Sequence, residues 1–459
     1  MLAATLPVGV AVALCLAIGP RVPLGGDEPH YLFIADSPLT DHDLRLQNNY
    51  DRDAATSAIY GPIAPHVYQI PAGWSIPEGW WPYHGVGLPA LVALPFAVGG
   101  LRGARVALCL FTGLMAVAFA LWIGLMAGGG IAAWTVIGAM MSLPILFGAM
   151  QLYPDLPGGV VAAVLTCWLL TPPRDRQCAA GWPLFWLATG LLPWLHLKYL
   201  GATLVLATAG AVTAWETRRQ GDVTSARLAA RTLPLVAVGM VLLAFWHHSV
   251  SGSILGFRRT TTELTDSPGR ALMIFLGLHL DQSQGMFFAQ PLLLAGVGCL
   301  VPFVRARPWT ALFWAALYLS LIVPNSMELA RYGLGGPAGR FGWSAMWLWL
   351  VPIAFMLATY RSRAEPIVKA LAIAGCVYQA MLALRWIPVP GVLWTNIDDP
   401  GSSVFPPVLS RWLPSFATWD FVSYVHNPAN QGAMVAVLAV LIAGAWLDAD
   451  PRPMASSKI

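Results

Sequence analysis

An apolar run of roughly the length of a membrane span, followed at once by a polar turn, sets the architecture: MLAATLPVGVAVALCLAIG at residues 1–19, then PRVPLGGDEPHY at residues 20–31. The run from Leu2 to Ile18 has the length of a signal peptide, but it lacks a basic n-region and a small-residue cleavage site before Arg21. We therefore interpret it as a retained first span. The carboxylates of Asp27 and Glu28 then lie just beyond its end, at the membrane surface.

The composition of the whole chain also indicates a membrane protein. Of the 459 residues, 57% are hydrophobic and 10% are charged, and the mean hydropathy is +0.64. A soluble globule cannot cover its surface with so few polar groups, so the apolar residues require lipid. Apolar runs of about 20 residues recur from end to end, with no soluble stretch long enough to form a second core. We predict a single transmembrane domain over residues 1–459.

Five compact clusters of basic residues set the predicted topology. Each cluster ends an apolar run, and by the positive-inside tendency all five are cytoplasmic. Placing the spans accordingly gives about twelve transmembrane helices. The apolar run at 87–101 is then an in-plane or re-entrant segment, because a crossing there would place every later cluster outside. The clusters are Arg174/Arg176, Arg218/Arg219 with Arg227/Arg231, Arg305/Arg307, Arg361/Arg363 with Lys369, and Arg452/Lys458.

The non-cytoplasmic side of this arrangement carries the long polar connections. The first outer loop covers residues 20–86, and further outer loops cover 249–286, 326–341 and 386–431. We expect juxtamembrane helices on this side of a protein that is otherwise an all-α polytopic membrane protein. Any chemistry should lie on the outer face, since the acidic motifs fall in these loops or at the outer ends of spans.

The first outer loop contains the strongest chemical signal, the pair Asp27-Glu28. A carboxylate at the mouth of a span lies beside low-dielectric protein and lipid, which raises its pKa and suits it to accept a proton from a hydroxyl. The alternative is structural: both carboxylates cap a juxtamembrane helix, where they satisfy free N–H groups. The local pattern leaves both interpretations open.

A series of short motifs resembles, in order, those of bacterial membrane glycosyltransferases of the GT-C fold, in the protein-mannosyltransferase-like group that uses lipid-linked sugars. Residues 386–459 match nothing in that family. The motifs are Gly-Asp-Glu-Pro-His-Tyr-Leu at 26–32, Asp-x-Asp-Leu at 41–44, Asn-x-Tyr at 48–50, Pro-His at 65–66, Tyr-His-Gly-Val-Gly-Leu-Pro at 83–89, Gln-Leu-Tyr-Pro-Asp-Leu-Pro at 151–157, His-Leu-Lys-Tyr at 196–199, Asp-Gln at 281–282 and Gly-Pro-Ala-Gly-Arg-Phe at 336–341.

The resemblance implies a transferase that moves a sugar, with inversion, from a polyprenyl-phosphate donor to a lipid or cell-envelope glycan acceptor at the outer face of the bacterial inner membrane. Asp27 is then the general base, with Glu28 as a less essential catalytic neighbour. Asp155 matches the family's second acidic position, where it orients the acceptor or holds a metal, although a helix cap before Pro157 is the structural alternative. The resemblance makes no cofactor certain, and a divalent metal stays open.

Position and charge predict the residues that contact substrate. Lys198 closes an otherwise apolar span, where a charge either binds a ligand or extends to the interface. With His196 and Arg340 it is a candidate for the donor phosphate. We expect Lys198 and Arg340 to converge on one pocket, because an anionic head group requires compact cationic partners. The remaining candidates for the substrate pocket are His30, His66, His84, Asp281, Gln282 and Arg331.

Two other function classes remain open. A lipid or solute transporter would explain the spans without chemistry, but it should have ionisable residues near the middle of the membrane, and here nearly all lie at the outer ends. A polysaccharide polymerase or ligase would also act on lipid-linked substrates at the outer face. The chain has no Walker motif or dinucleotide fingerprint. We expect a lipid-linked sugar, an acceptor and membrane lipids as partners, and no nucleic acid.

Overall fold

Helices form most of the described chain, as lipid requires of segments whose backbone polar groups must pair internally. A computed structural model of the protein describes residues 2–73, 76–172, 181–254, 267–328, 332, 335–396, 403–416 and 426–447. The helices are α1 (Leu2–Ile18), α2 (Glu28–Thr40), α3 (Gln47–Thr56), α4 (Gly87–Ala127), α5 (Gly129–Met140), α6 (Leu143–Leu146), α7 (Asp155–Leu170), α8 (Gly181–Leu195), α9 (Leu200–Arg219), α10 (Val223–Thr232), α11 (Pro234–Ser251), α12 (Pro268–Leu280), α13 (Met286–Ala289), α14 (Leu293–Ala306), α15 (Pro308–Ser326), α16 (Leu350–Thr359), α17 (Arg361–Trp386), α18 (Pro407–Ser410) and α19 (Pro428–Leu447). The strands are β1 (Val67–Ile70), β2 (Gly79–Pro82), β3 (Gly335–Pro337) and β4 (Trp394–Asn396).

The chain is a multi-pass membrane protein. Within the described residues, seven helical segments are long and apolar enough to cross a membrane, and an eighth is added if α5 and the helix after it, bent by 69°, form one span. The predicted all-α polytopic class is therefore confirmed, whereas the predicted count of about twelve spans is not. The seven segments are Ala4–Arg21, Gly87–Ala127, Leu197–Arg219, Val223–Ser251, Pro308–Ser326, Arg361–Trp386 and Pro428–Ala445.

Helix α4 consists of two helices joined at a sharp bend. Gly100 has φ 58° and ψ −152°, a backbone conformation that only glycine adopts readily. The chain is so close to itself here that a Cβ on Gly103 would lie 2.2 Å from the carbonyl oxygen of Pro95. The bend falls at the end of the segment 87–101, which we predicted to be in-plane or re-entrant. The placement of that segment relative to the bilayer stays a prediction.

The predicted outer loop at 249–286 contains a helix that the sequence analysis did not anticipate. Helix α12 packs against α15, and its residues Met273, Ile274 and Leu278 are buried. Its 13 residues are fewer than the roughly 20 that a transmembrane span requires, which is why hydropathy alone did not indicate it. Residues 255–266 of the same loop lie outside the described residues.

The basic clusters and the acidic motifs lie at opposite ends of the spans. Helix α9 starts two residues after Lys198 and ends at Arg218 and Arg219. At 1.5 Å per residue, the length of this helix separates its two ends by about 30 Å. Arg361, at the start of α17, lies beside Gly128 in the turn between α4 and α5. The basic residues Arg174, Arg176, Arg452 and Lys458 lie outside the described residues.

The loops at the acidic end are joined by strands and side chains. Strand β3, from the predicted loop 326–341, pairs in antiparallel fashion with β4, from the predicted loop 386–431. Gln284 contacts both of these loops. Its side-chain amide donates to the Thr395 hydroxyl at 2.5 Å, and its side-chain oxygen accepts the N–H of Gly339 at 2.9 Å. Three predicted outer loops therefore form one connected layer.

We expect the two ends of the helices to face opposite sides of the membrane. A cysteine introduced at the exposed position Asp51 should react with a membrane-impermeant maleimide in intact cells, whereas one at the exposed position Gln220 should react only after permeabilisation. The unmodified protein, whose described cysteines are buried or half-buried, gives the background signal. Labelling of both positions from one side would contradict this topology.

Candidate functional site

A cavity of about 940 Å³ lies at the acidic end of the spans. The first outer loop, the start of α7, the segment between α8 and α9, and the end of α15 all contribute to its wall. Parts of the chain that are far apart in sequence therefore meet in one chamber. The predicted site residues that line it are Asp27, His66, His84, Asp155, His196, Lys198 and Arg340.

Two glycines place Asp27 on the cavity wall. Gly26 has φ 55°, and a Cβ there would lie 2.7 Å from the hydroxyl oxygen of Tyr153. The same hydroxyl donates to the carbonyl oxygen of Gly25 at 2.7 Å. Asp27 occupies the N-cap position of α2, but its side chain makes no capping hydrogen bond. The capping alternative is therefore wrong for Asp27, whose side chain is 32% exposed and lines the cavity.

Glu28 holds the backbone together and does not line the cavity. It is fully buried, and its carboxylate accepts the N–H of Leu152 at 2.8 Å and the N–H of Gly25 at 3.1 Å. Burial raises the pKa of Glu28 to about 7, against the lowering effect of Arg105 and of these two hydrogen bonds. The carboxylate therefore fastens the first outer loop to the segment that precedes α7.

Three histidines surround Asp27. The Oδ1 atom of Asp27 lies 3.7 Å from His66 Nδ1 and 3.9 Å from His84 Nε2. The ring of His30 stacks on that of His66, with 4.0 Å between the ring centroids. Burial raises the pKa of Asp27, but His84, Arg340 and the other two histidines outweigh it, so the pKa lies below its ordinary value. The rise that we expected at this position is therefore wrong, and Asp27 is ionised at neutral pH.

A buried cluster of two cations and one carboxylate forms another part of the wall. The Lys198 ammonium pairs with Asp155 Oδ1 and donates to Asn325 Oδ1 at 3.1 Å. Arg340 Nε lies 3.7 Å from the other oxygen of Asp155. The side chains of Asp155, Lys198 and Arg340 are only 2%, 12% and 11% exposed. The expected convergence of Lys198 and Arg340 is confirmed, and the cluster has an excess of one positive charge.

Neighbouring groups fix the two cations in place. The Arg340 guanidinium lies over the ring of Tyr153, at 4.2 Å from its centroid, which stabilises the cation by a cation–π interaction. Burial lowers the pKa of Arg340, but Asp155 and other neighbours raise it above its ordinary value, so the guanidinium stays charged. His196 Nδ1 accepts the backbone N–H of Lys198 at 3.2 Å and so starts the short turn that carries the lysine.

His30, a predicted substrate contact, lies behind the cavity wall. It is buried, and its Nδ1 atom forms a 2.6 Å hydrogen bond with the Tyr50 hydroxyl. Its ring supports His66 from the protein side. Arg331, which we also predicted to contact substrate, lies outside the described residues.

The pair Asp281-Gln282 also lies away from the cavity wall. Asp281 is buried and accepts three backbone N–H groups, including that of Phe416 at 2.8 Å. The Gln282 side chain donates to the Ser410 carbonyl oxygen at 3.1 Å and accepts from the Ser403 hydroxyl at 3.0 Å. Both residues tie the segment 403–416 to the end of α12.

Two polar residues near the site were missed in the sequence analysis. Asn325, in the last turn of α15, contacts Lys198 and also donates to the carbonyl oxygen of Phe341 at 2.7 Å. Arg105, inside the apolar run of α4, donates to the carbonyl oxygen of Gly19 at 2.6 Å. The available signal was the same for both: a polar side chain within a transmembrane run is costly and usually has a specific partner.

The fold is similar to that of ArnT from Cupriavidus metallidurans. In its structure bound to undecaprenyl phosphate, the similarity covers 96% of this chain and 75% of that chain, with 17% identity and a TM-score of 0.50. For the apo structure the coverage is 96% and 74%, with 18% identity and a TM-score of 0.49. No protein-family model matches the sequence, and no curated protein gives a significant match. The expected GT-C-like fold is confirmed, and at this identity the likeness establishes the fold alone.

Removing the Glu28 carboxylate should destabilise the protein, whereas removing that of Asp27 should not. Glu28→Ala leaves the N–H groups of Gly25 and Leu152 without their acceptor, and each buried unsatisfied donor costs about 1–3 kcal/mol. We expect a lower thermal midpoint of the purified protein in detergent for Glu28→Ala. Asp27→Ala, the adjacent carboxylate that caps nothing, is the matched control. Equal midpoints for Glu28→Ala and the wild type would contradict the bridging role.

Proposed function

We propose that the chain is a membrane glycosyltransferase that moves a sugar from a polyprenyl-phosphate donor to a lipid or cell-envelope glycan acceptor. The observation that carries the proposal is that one cavity contains both an ionised, partly exposed carboxylate and a buried cluster with excess positive charge. These are the two groups that sugar transfer from a lipid phosphate requires: a base for the acceptor hydroxyl and cations for the leaving phosphate.

Lys198 and Arg340 are suited to bind the donor phosphate. Buried charges are stable only when they are paired, and Asp155 neutralises one of the two cations. A phosphate in the cavity supplies the second negative charge and forms charge-assisted hydrogen bonds with both cations. A lipid carries its phosphate at the membrane surface, which matches a cluster at the end of the spans. The fold likeness to ArnT, solved with undecaprenyl phosphate, supports a lipid phosphate as this anion.

Asp27 is the general base in this proposal. Asp155 is almost fully buried and is held by two cations, so its oxygens are less accessible to an acceptor hydroxyl than those of Asp27. Asp27 is more exposed to the cavity, and its lowered pKa keeps it in the basic form at neutral pH. Its position at the start of α2, beside the histidines and on the cavity wall, allows an acceptor hydroxyl to approach from the cavity.

The reaction that we propose is a single displacement. The oxygen of the acceptor hydroxyl forms a bond to the anomeric carbon while its proton passes to Asp27. The bond from that carbon to the phosphate oxygen breaks on the opposite face, and its electron pair stays on the phosphate, where Lys198 and Arg340 balance the charge. The anomeric configuration is therefore inverted. By the positive-inside argument, the cavity faces the outer side of the bacterial inner membrane.

Asp27→Asn should remove turnover while leaving the protein folded and able to bind the donor. Asparagine keeps the shape and the hydrogen-bonding reach of the side chain but cannot accept the proton, and loss of a positioned base lowers rates by about 10²–10⁴-fold. The measurement is release of free polyprenyl phosphate from a panel of hexosyl and pentosyl donors. Asp51→Asn, an exposed carboxylate in the same outer loop, is the control. Turnover of Asp27→Asn near that of the control would end the claim that Asp27 is the base.

Lys198→Gln should weaken binding of undecaprenyl phosphate by about 10- to 100-fold, because one charge-assisted hydrogen bond contributes about 1.5–3 kcal/mol. The measurement is a binding isotherm for undecaprenyl phosphate with the purified protein. Arg219→Gln removes the same charge from the other end of α9 and should leave the affinity unchanged. An equal loss in the two variants would attribute the effect to overall charge and would remove the argument for a phosphate site at Lys198.

A further inference from the structure

The side chains of Asp27, His66 and His84 converge on one point at the cavity wall, and we infer that they bind a divalent transition-metal ion of the zinc class. One potential ligand atom of each residue lies within 4.8 Å of the other two. The binding of an ion does not depend on the transfer reaction proposed above. Only the role of the ion in that reaction rests on the proposed function.

The three ligand atoms have the spacing of a metal site. His66 Nδ1 and His84 Nε2 are 3.2 Å apart, and Asp27 Oδ1 lies 3.7 Å and 3.9 Å from them. A point equidistant from three atoms so spaced lies about 2.1 Å from each, within the roughly 2.0–2.2 Å that zinc keeps from imidazole nitrogen and carboxylate oxygen. Ligands of a tetrahedral site with these bond lengths are about 3.4 Å apart, so shifts of a few tenths of an ångström complete the geometry.

The strand pair β1–β2 brings the two histidines together. Val67 pairs with Pro82 at the open end of the hairpin. His66 directly precedes β1, and Tyr83 and His84 directly follow β2, so the two histidines lie side by side at that end. Asp27 reaches them from the turn before α2. The ligands therefore come from three separate segments of the first outer loop, which is the part of the chain that carries the strongest motif.

Neighbouring rings hold the two imidazoles before any ion binds. The His30 ring stacks on His66, and the backbone N–H of His66 donates to the Tyr50 hydroxyl at 3.2 Å. The Tyr31 ring packs on His84 at 5.0 Å between centroids. Ligands that are fixed by surrounding contacts lose little freedom when they bind a metal, which favours affinity.

The donor set selects the class of ion. Two imidazole nitrogens and one carboxylate oxygen, with a further position free for a small molecule, form a set that zinc adopts in catalytic sites. Magnesium and calcium prefer oxygen ligands and fit it poorly. Because all three residues line the cavity, the remaining coordination position faces the space that the substrates would occupy.

A simple hydrogen bond between the two imidazoles explains less of the geometry. Such a bond accounts for the 3.2 Å between the two nitrogens. It does not account for Asp27 Oδ1, which at 3.7 Å and 3.9 Å is too far from either ring for a hydrogen bond and yet closes a nearly equilateral triangle. A shared ion explains all three separations together.

An ion at this position has a clear use in the proposed reaction. If Oδ1 of Asp27 held such an ion, Oδ2 would still be available to accept the proton of the acceptor hydroxyl. The ion also lies in the same cavity as that hydroxyl, and a divalent ion lowers the pKa of an oxygen that it contacts. The ion would therefore assist deprotonation of the acceptor rather than departure of the phosphate, which Lys198 and Arg340 serve.

The test is the zinc content of the full-length protein, purified in detergent without a polyhistidine tag, equilibrated with zinc and desalted. We expect about one ion per chain by elemental analysis. His66→Ala and His84→Ala should each weaken zinc affinity by at least ~10-fold in competition with a chromophoric chelator. His247→Ala removes another histidine that lines the cavity and should retain the ion. In the wild type, cobalt should give the intense visible absorption of a tetrahedral site.

A wild-type protein that retains no more zinc than the His66→Ala variant would overturn the inference, and so would an equal loss in His247→Ala, because the ion would then bind elsewhere. The wild-type cobalt spectrum decides the matter even if a variant fails to fold. Neither measurement requires turnover. A protein that binds zinc but releases no polyprenyl phosphate would therefore refute the proposed function and leave the metal site in place.

Discussion

The buried carboxylate of Glu28 is the interaction on which the geometry of the site depends. It accepts the N–H of Gly25 in the first outer loop and that of Leu152, which lies just before α7 and 124 positions after Glu28. Burying a carboxylate is unfavourable, as the raised pKa of Glu28 shows, and the two hydrogen bonds with the charge of Arg105 offset that cost. Asp27 and Asp155 lie on the two elements that this bridge connects. Together with the hydrogen bond from the Tyr153 hydroxyl to the Gly25 carbonyl oxygen, this bridge fixes one aspartate relative to the other.

The two aspartates show how similar local sequence can give different chemistry. Each stands two residues before a proline at the start of a helix, and neither makes a capping hydrogen bond. Asp155 is almost fully buried between Lys198 and Arg340, whereas Asp27 lies among histidines with part of its surface exposed. The different contacts and exposure of the two carboxylates suit them to different roles. One is suited to accept a proton, and the other to hold two cations at a fixed separation.

The sequence predicted the features that depend on periodicity and on position along a span. The all-α membrane class followed from composition, and the meeting of Lys198 with Arg340 followed from their places at the ends of apolar runs. Features that depend on distant partners were not predictable. Glu28 could not be separated from Asp27, since its role is set by Leu152, and Asp281 resembled a ligand residue although its oxygens bind backbone groups. Helix α12 was missed because hydropathy indicates only helices long enough to span the membrane. This helix of 13 residues is shorter than that, and it buries its apolar residues against other helices.

The position of the Lys198–Arg340 cluster would also make the proposed reaction directional. The cluster lies at one end of the spans, about 30 Å along α9 from the arginines at the other end. A lipid can present its phosphate to these cations only from the leaflet on that side, because moving a charged head group through hydrocarbon is prohibitively costly. A donor that is assembled on the opposite leaflet must therefore be flipped before it can reach the cavity. The protein would then transfer sugar from donor lipid on one side of the membrane only.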